Sequence, residues 1–275
     1  EDVGITARRM HSLCQWMLGY ADRALALAQD AVTLAENTSH PFSLGAAHLG
    51  LGTIFAYLRN FPSSQQEYEK VLALAEEYAL GDVFNVSIIG KAWTIAYQEP
   101  TDAAIEQMKQ AIESLRATGT MLMMTGTLAV LGEVFWLAGR CAEGQETIAE
   151  ALALVEHTGE RNWEAEIWRI KGELLLKAAN NSQASRAQAE AEGCYHQAIA
   201  IAQQQSAKTW ELRAATSLAR LWQQQGKTAE ARQMLAEIYG WFTEGFDTAD
   251  LKEAKALLDE LHQQTTTTES NISGD

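Results

Sequence analysis

Several sets of residues have the types that catalysis or ligand capture requires, and their spacing decides how they are read. The histidines His11, His40, His48, His157, His196 and His262 are scattered along the chain. None forms the His-Glu-x-x-His or paired pattern that sets two ligands on one helix face, so no metal or other cofactor is expected. Glu164, Glu166 and Glu173 stand near Arg161 and Arg169, a mixture able in principle to pass protons to a substrate. Charges at i, i+3 and i, i+4 are ordinary neighbours on a helix surface, and these read as a solvated face. Gly226-Lys227-Thr228 copies the end of a phosphate loop, but Leu221 occupies the place of the first glycine and no strand precedes it. It reads as an interhelix turn. Gly50-Leu51-Gly52 lacks the third glycine of a dinucleotide fingerprint and lies inside a helical pattern. Cys14, Cys141 and Cys194 are odd in number and far apart, and read as reduced packing residues. The Asn-x-Ser/Thr strings at Asn37, Asn85, Asn180 and Asn271 are chance matches. No catalytic residue is assigned.

The elements that carry these residues are helical and repeated. A turn followed by x-x-small-x-x-x-large-x-x-small recurs with its first small residue at Ala24, Ser64, Ala104, Gly144, Ala191 and Ala231, giving steps of 40, 40, 40, 47 and 40. The next columns keep step: Ala28, Tyr68, Met108, Ile148, Tyr195 and Leu235, then Ala31, Val71, Ala111, Ala151, Ala198 and Ile238. Positions i, i+4 and i+7 share one helical face, and small residues there let a second backbone approach. The preceding helix of each pair has its own signature in Leu51-Gly52 with Phe55, Leu131-Gly132 with Phe135 and Lys171-Gly172 with Leu175. A glycine inside a helix costs about 1 kcal/mol against alanine, so its recurrence predicts tight helix crossing. Breakers separate the helices at Gly19, Asn60-Phe61-Pro62, Glu99-Pro100, Gly139 and Gly226. Pro62 and Pro100 are expected at the start of second helices. The seven extra residues of the fifth unit fall near Ala178-Ala179-Asn180-Asn181-Ser182, as a longer loop or a helical extension.

Composition agrees with a helical array. Of the 275 residues 47% are hydrophobic and only three are proline. With 36 acidic against 21 basic residues the formal net charge is -15, which repels phosphate backbones and anionic lipid. Nucleic acid and membrane are not expected partners. No apolar run approaches the ~20 residues of a membrane-spanning helix, and Glu1-Asp2-Val3-Gly4 has no signal-peptide character, so a cytoplasmic setting is expected. The missing initiator Met and the mid-array entry of the first helix lead us to expect a piece of a longer protein.

These columns resemble the tetratricopeptide (TPR) pattern Leu-Gly-x-x-Tyr, Ala-x-x-x-Phe/Tyr-x-x-Ala over about residues 5 to 262, with a period of 40 in place of the usual ~34. The expected fold is all-α, a right-handed TPR-like α-solenoid of about six helix pairs with a C-terminal capping helix. Units are expected near 5–44, 45–84, 85–124, 125–164, 165–211 and 212–246, with a cap at 249–261 and a disordered tail at 263–275. Trp241, Phe242 and Phe246 are expected to close the end of the core. Three segments, 151–176, 210–222 and 239–258, resemble more specifically the C-terminal arrays of large bacterial signalling proteins. In those proteins a class III adenylate/guanylate cyclase or related output domain precedes an AAA/STAND-type ATPase and then the repeats. The resemblance implies a non-catalytic interaction and sensor module that relays a signal to the ATPase and output domains. The alternatives are a small-molecule effector-binding domain of a STAND-type transcription activator and a stand-alone TPR scaffold. An independent hydrolase or transferase on a helical toroid needs convergent acids or metal ligands, and the sequence offers none.

Mapping the helix pair onto this register places Trp16, Tyr57, Trp93, Tyr97 and Trp136 near the concave side of the first helices, joined by Glu133, Glu166, Arg169, Glu173, Arg213 and Arg220. Such a groove suits a peptide or helix, with apolar anchors in the N-terminal half and charges in the C-terminal half. The competing reading buries these rings between repeats. Trp163 and Trp210, one 47-residue step apart, read as packing residues. The partner is expected to be a protein or peptide, or other domains of the parent protein, and self-association is left open.

Overall fold

The structure is a computed structural model that describes residues 2–38, 40–119 and 123–272, with the side chains of 82 and 265–272 left undescribed. Among the described residues every regular element is an α-helix. The chain divides into two compact units, Glu1–Glu160 and Arg161–Asp275. The first holds α1 (Val3–Met17), α2 (Ala21–Thr38), α3 (Pro41–Tyr57), α4 (Phe61–Tyr78), α5 (Gly81–Gln98), α6 (Asp102–Ala117), α7 (Met124–Leu137) and α8 (Cys141–Thr158). The second holds α9 (Glu164–Ala178), α10 (Ala184–Gln204), α11 (Lys208–Gln224), α12 (Thr228–Tyr239) and α13 (Ala249–Ile272). The pairs open at Val3, Pro41, Gly81, Met124, Glu164 and Lys208, some a few residues before the expected bounds.

Local chemistry sets several of these limits. The Asp2 carboxylate accepts from the Gly4 and Ile5 amides at the start of α1, and Asn60 caps α4, where Pro62 sits in the first turn without losing a hydrogen bond. Pro100 differs from expectation. It precedes the cap of α6, Thr101, whose hydroxyl accepts from Ala104 N, and it holds Glu99 in extended backbone, ending α5. Other pair turns use Gly19, Gly139 and Gly226 at φ of 93°, 73° and 79°, which a side chain would strain.

Within each unit the first helices pack on one another, α1 on α3, α3 on α5, α5 on α7, and α9 on α11 and α11 on α13. A second helix that lies between two first helices of its unit touches both, while among the described residues the backbones of second helices do not meet one another. First helices therefore form the tighter, inner layer of each unit. All three repeated columns of the second helices are buried, from Ala24, Ala28 and Ala31 through Ala231, Leu235 and Ile238.

The crossing within each pair explains the glycines. A Cβ at Gly52 would lie 3.1 Å from the Tyr68 ring, one at Gly132 2.6 Å from Ile148 Cδ1, and one at Gly172 2.6 Å from Tyr195 Cε1. Each first-helix glycine is thus the socket for the large residue in the second column of its partner helix. Where the socket position carries a Cβ, as in Ser12, Ala92 and Ala219, the corresponding column residue is Ala28, Met108 or Leu235, each smaller or more flexible than tyrosine. The same crossings are pinned by buried hydroxyls: Ser12 Oγ donates to Ala24 O at 2.6 Å and Ser64 Oγ to Gly52 O at 2.7 Å.

The seven extra residues are divided between α9, its connection to α10 and, for the largest share, the start of α10, which at 21 residues is longer than the 15 of α9. At the far end Leu251, Ala254, Leu257 and Leu261 of α13 close the core with Phe242. Trp241 is partly buried, but Phe246 is exposed beside Tyr239, so aliphatic residues of α13 take the role expected of that ring. The structure carries helix through Ile272 where a disordered tail was expected from 263. Once the buried turns of α13 supply a nucleus, extension fixes only one further residue per hydrogen bond. Residues 273–275 lie outside the described residues.

Gly172→Ala should cost about 1–2 kcal/mol in chemical denaturation, overpacking outweighing the gain in helix propensity. Adding Tyr195→Leu should recover part of that loss, since Ala219 and Leu235 already form such a pair. Equal losses in the single and double variants would show that the socket is not the source of the strain.

Candidate partner-binding faces

In the first unit most of the rings expected to line an aromatic groove are packed shut. Trp16, Tyr57 and Trp93 are 1%, 5% and 5% exposed. Their rings form a row across successive first helices, with centroids 4.5 Å apart for Trp16 and Tyr57 and 6.1 Å for Tyr57 and Trp93. Trp93 Nε1 donates to the buried Glu133 carboxylate at 3.0 Å. These side chains join first helices together instead of standing open as anchors, because rings of this size fill the seam between adjacent helices. Tyr97 and Trp136 do reach the surface in part. Tyr97 packs on Phe61 at 4.8 Å, with the Arg59 guanidinium 5.4 Å from its ring centre.

A recess that the sequence did not reveal lies on the other side of the first unit. α4 and α6 flank α5 and leave a cleft of about 690 Å³, with Phe84, Ile88, Ala92 and Ile95 along its floor and Leu72 and Gln110 among its walls. Floor positions 84, 88, 92 and 95 follow the spacing of one helix face. The polar lining includes Asn85, Gln107, Gln110 and Ser114, with Glu76 and Lys91. Lys91 is held by Glu69 at 2.9 Å. The cleft's signal in the sequence was faint. Gln110 stands in a column that is charged at Asp30, Lys70, Glu150 and Glu237 and neutral again only at Gln197.

In the second unit the acidic and basic residues read as a solvated face are for the most part buried, with Glu164 8%, Glu166 2% and Arg169 6% exposed, and the groove residue Arg213 is buried beside them at 8%. Arg169 donates to both Glu166 oxygens at 2.8 Å. Arg213 reaches Glu166 at 3.5 Å and donates through Nε to Asp250 at 2.9 Å. Glu173 accepts from Ser217 at 2.6 Å and lies 3.7 Å from Arg169. Arg220 is half-exposed and pairs with Glu253 on α13. The burial has a geometric reason: α11 packs beside α9, with α13 in turn beside α11, and covers the face that an isolated helix would show to water. Burial acts to raise the Glu166 carboxyl, but Arg169, by charge and hydrogen bond, and Arg213 outweigh it and hold it below the usual carboxylate range. Burial, then the charge of Glu173, pushes the Tyr195 hydroxyl up, so it stays neutral.

Trp163 and Trp210 are both buried, with ring centroids 5.0 Å apart, and Trp210 Nε1 donates to Asn162 O at 3.1 Å. Gly226 to Thr228 forms the turn between α11 and α12, with Lys227 3.4 Å from Glu192. Among the described residues no cluster of His, Cys, Asp and Glu is placed to hold a metal ion, and no helix is long and apolar enough to cross a membrane.

Comparison with solved structures gives TM-scores of 0.65 for NprR in complex with its cognate peptide NprX, 0.64 for a Rap protein complexed with competence and sporulation factor, and 0.61 for the apo form of RapI. Identities are 12%, 11% and 10%, over 95%, 97% and 94% of this chain and 72%, 75% and 86% of those chains. The fold is a TPR-type helical repeat. Among curated proteins an uncharacterized protein of Rhizobium meliloti (strain 1021) is 21% identical over 222 residues, 80% of this chain. The chain spans only 21% of that relative's length. No family model matches the sequence.

The Glu166 pair sets a pH dependence whose sign follows from the lowered carboxyl. Its stabilising contribution is fully present above the unfolded value of about 4.5 and is lost as pH falls through the lower folded value. Thermal melts should therefore fall off below about pH 4.5, and Glu166→Gln should flatten that part of the profile while costing about 3–5 kcal/mol near neutrality. An acid limb identical in both proteins would show that other groups govern it.

Proposed function

We propose that this chain is a non-catalytic protein-interaction and sensor module that binds a peptide or helix along the first-helix layer and relays that occupancy to an ATPase and output domain in a larger signalling protein. The observation that carries this reading is the TPR-type layer of first helices, shared over nearly the whole chain with solved proteins of which one, NprR, holds a cognate peptide. The surface available to a partner is narrower than the sequence groove. Tyr97 and Trp136 in the first unit, and Glu173 and Arg220 in the second, reach solvent, while Trp16, Tyr57, Trp93, Glu133, Arg169 and Arg213 hold the helices in place behind them. The length of the Rhizobium relative supports a place within a longer protein. The cyclase and AAA/STAND context rests on the resemblance of 151–176, 210–222 and 239–258.

The cleft favours a second reading, a small-molecule effector domain. Its volume of about 690 Å³ falls in the range of ~300–1,000 Å³ usual for ligand pockets. Its polar lining is mostly neutral amide and hydroxyl, which suits an uncharged ligand.

The two readings separate by variant. If a protein partner binds the first-helix layer, Tyr97→Ala with Trp136→Ala should weaken its binding by about tenfold or more, measured by titration calorimetry after affinity capture. Phe84→Glu should leave it unchanged. If the cleft is the site, Phe84→Glu should abolish a ligand-induced thermal shift that the wild type shows with a metabolite panel, and the surface aromatic variants should not. Partner binding unaffected by Tyr97→Ala with Trp136→Ala would overturn the first reading.

A further inference from the structure

The cleft floored by α5 belongs to one interior step of the first unit, and corresponding residues show why it opens there. Forty residues earlier, between α2 and α4, the chain closes the same level itself. His48 of α3, at the place of Ile88, lies 2.6 Å through Nδ1 from Glu67 of α4, at the place of Gln107, and both are buried. Forty residues later Arg116 of α6 bridges to Glu150 of α8 at 2.5 Å, and the floor beneath is shut, with Met124 2% and Leu128 1% exposed. Between α4 and α6 the residues at the places of Arg116 and Glu150 are Glu76 and Gln110, which cannot form an ion pair. Phe84, the counterpart of Met124, is 38% exposed. Ser114 completes the difference, because its column holds Leu34, Leu74 and Leu154 in the other second helices of the unit. The opening thus follows from particular side chains, with helices of the same unit on both sides of it.

The lining also fixes the kind of molecule that fits. Its two charges, Glu76 and Lys91, cancel, and Lys91 is already held by Glu69. Asn85, Gln107 and Gln110 add three carboxamides, each with N–H donors beside a C=O acceptor. The group that answers both at once is another amide with N–H and C=O on one edge, as in a lactam. Along the floor Phe84, Ile88 and Ile95 present apolar surface, which gains from burial only against an apolar body. A zwitterion would have to shed the water on both charged ends to reach it. Resting on the effector reading of the cleft and going beyond it, we propose that the ligand is an uncharged cyclic amide with apolar substituents, held by the carboxamides of α5 and α6 against the α5 floor. Bound there, it takes the place that the Arg116–Glu150 bridge occupies one step on.

The probe is a set of cyclic dipeptides with apolar side chains, cyclo(Leu-Phe) among them, and the linear dipeptide Leu-Phe serves as a zwitterion with the same side chains. At about 1 mM a cyclic dipeptide should raise the melting midpoint of the wild-type chain and give a saturable calorimetric titration, and the linear dipeptide should bind at least about tenfold more weakly. Two variants close the cleft. Ser114→Leu restores the residue of its column, and Glu76→Arg with Gln110→Glu copies the pair that bridges the next step. All three positions are exposed, so each variant should keep the wild-type circular dichroism while weakening cyclic-dipeptide binding by about tenfold or more. Binding that survives unchanged in either variant, or equal binding of the linear dipeptide, would overturn the proposal. So would a wild type that ignores every cyclic dipeptide yet shows a shift with charged metabolites that Ser114→Leu removes; that result leaves the effector reading standing and rejects only the ligand class. A wild type that responds to neither set rejects both.

Discussion

Everything else in this structure depends on how closely the two helices of each pair can cross. A backbone without a side chain at Gly52, Gly132 or Gly172 admits the bulk of Tyr68, Ile148 or Tyr195 into the space that a Cβ would fill. Interiors are packed too densely to absorb one more carbon without a shift in rotamer or backbone. Socket and insert therefore vary together, and the pairs with Ser12, Ala92 and Ala219 are matched by smaller or more pliable residues. Gly52 and Gly132 also show why a helix tolerates residues of low propensity, since burial of an aromatic or branched side chain is worth more than the ~1 kcal/mol that glycine loses.

A repeat built this way turns each column of the sequence into a ladder of contacts. Trp93 and Glu133 are one 40-residue step apart and hydrogen bonded. Trp163 and Trp210, one 47-residue step apart, are in ring contact, and Glu166 and Arg213, at the same step, are in an ion pair. Side chains in a first-helix column face their counterparts on the next first helix, so complementary types there act as clasps between repeats. That arrangement withdraws from solvent many of the residues that a groove model would assign to a ligand. What the clasps leave over is partly exposed rings at their edges and a cleft between second helices.

The buried ion network is the costliest of these clasps. Taking Glu166 and two guanidiniums out of water is favourable only while every charge keeps its partner. Such a network adds little to stability over an apolar equivalent, but it makes the registry of α9, α11 and α13 sensitive to the loss of one member. It also gives α13 a role beyond closing the core, since Asp250 and Glu253 on that helix each hold an arginine of α11.

The sequence by itself determined the helical period, the buried columns, the glycine crossings and the place of the insertion, because 3.6-residue periodicity and side-chain volume are local properties that survive in a linear string. Trp163 with Trp210 was legible as packing for the same reason. Exposure was a different matter. Whether Trp93 is an anchor or a clasp, and whether Glu166 and Arg169 face water, depends on what a helix one or two steps away places over them. Only the tertiary structure could decide that, as it did for Asp250 on α13 and for the cleft floored by Phe84 and Ile88. Periodicity tells which residues share a face, and packing alone tells what lies against it.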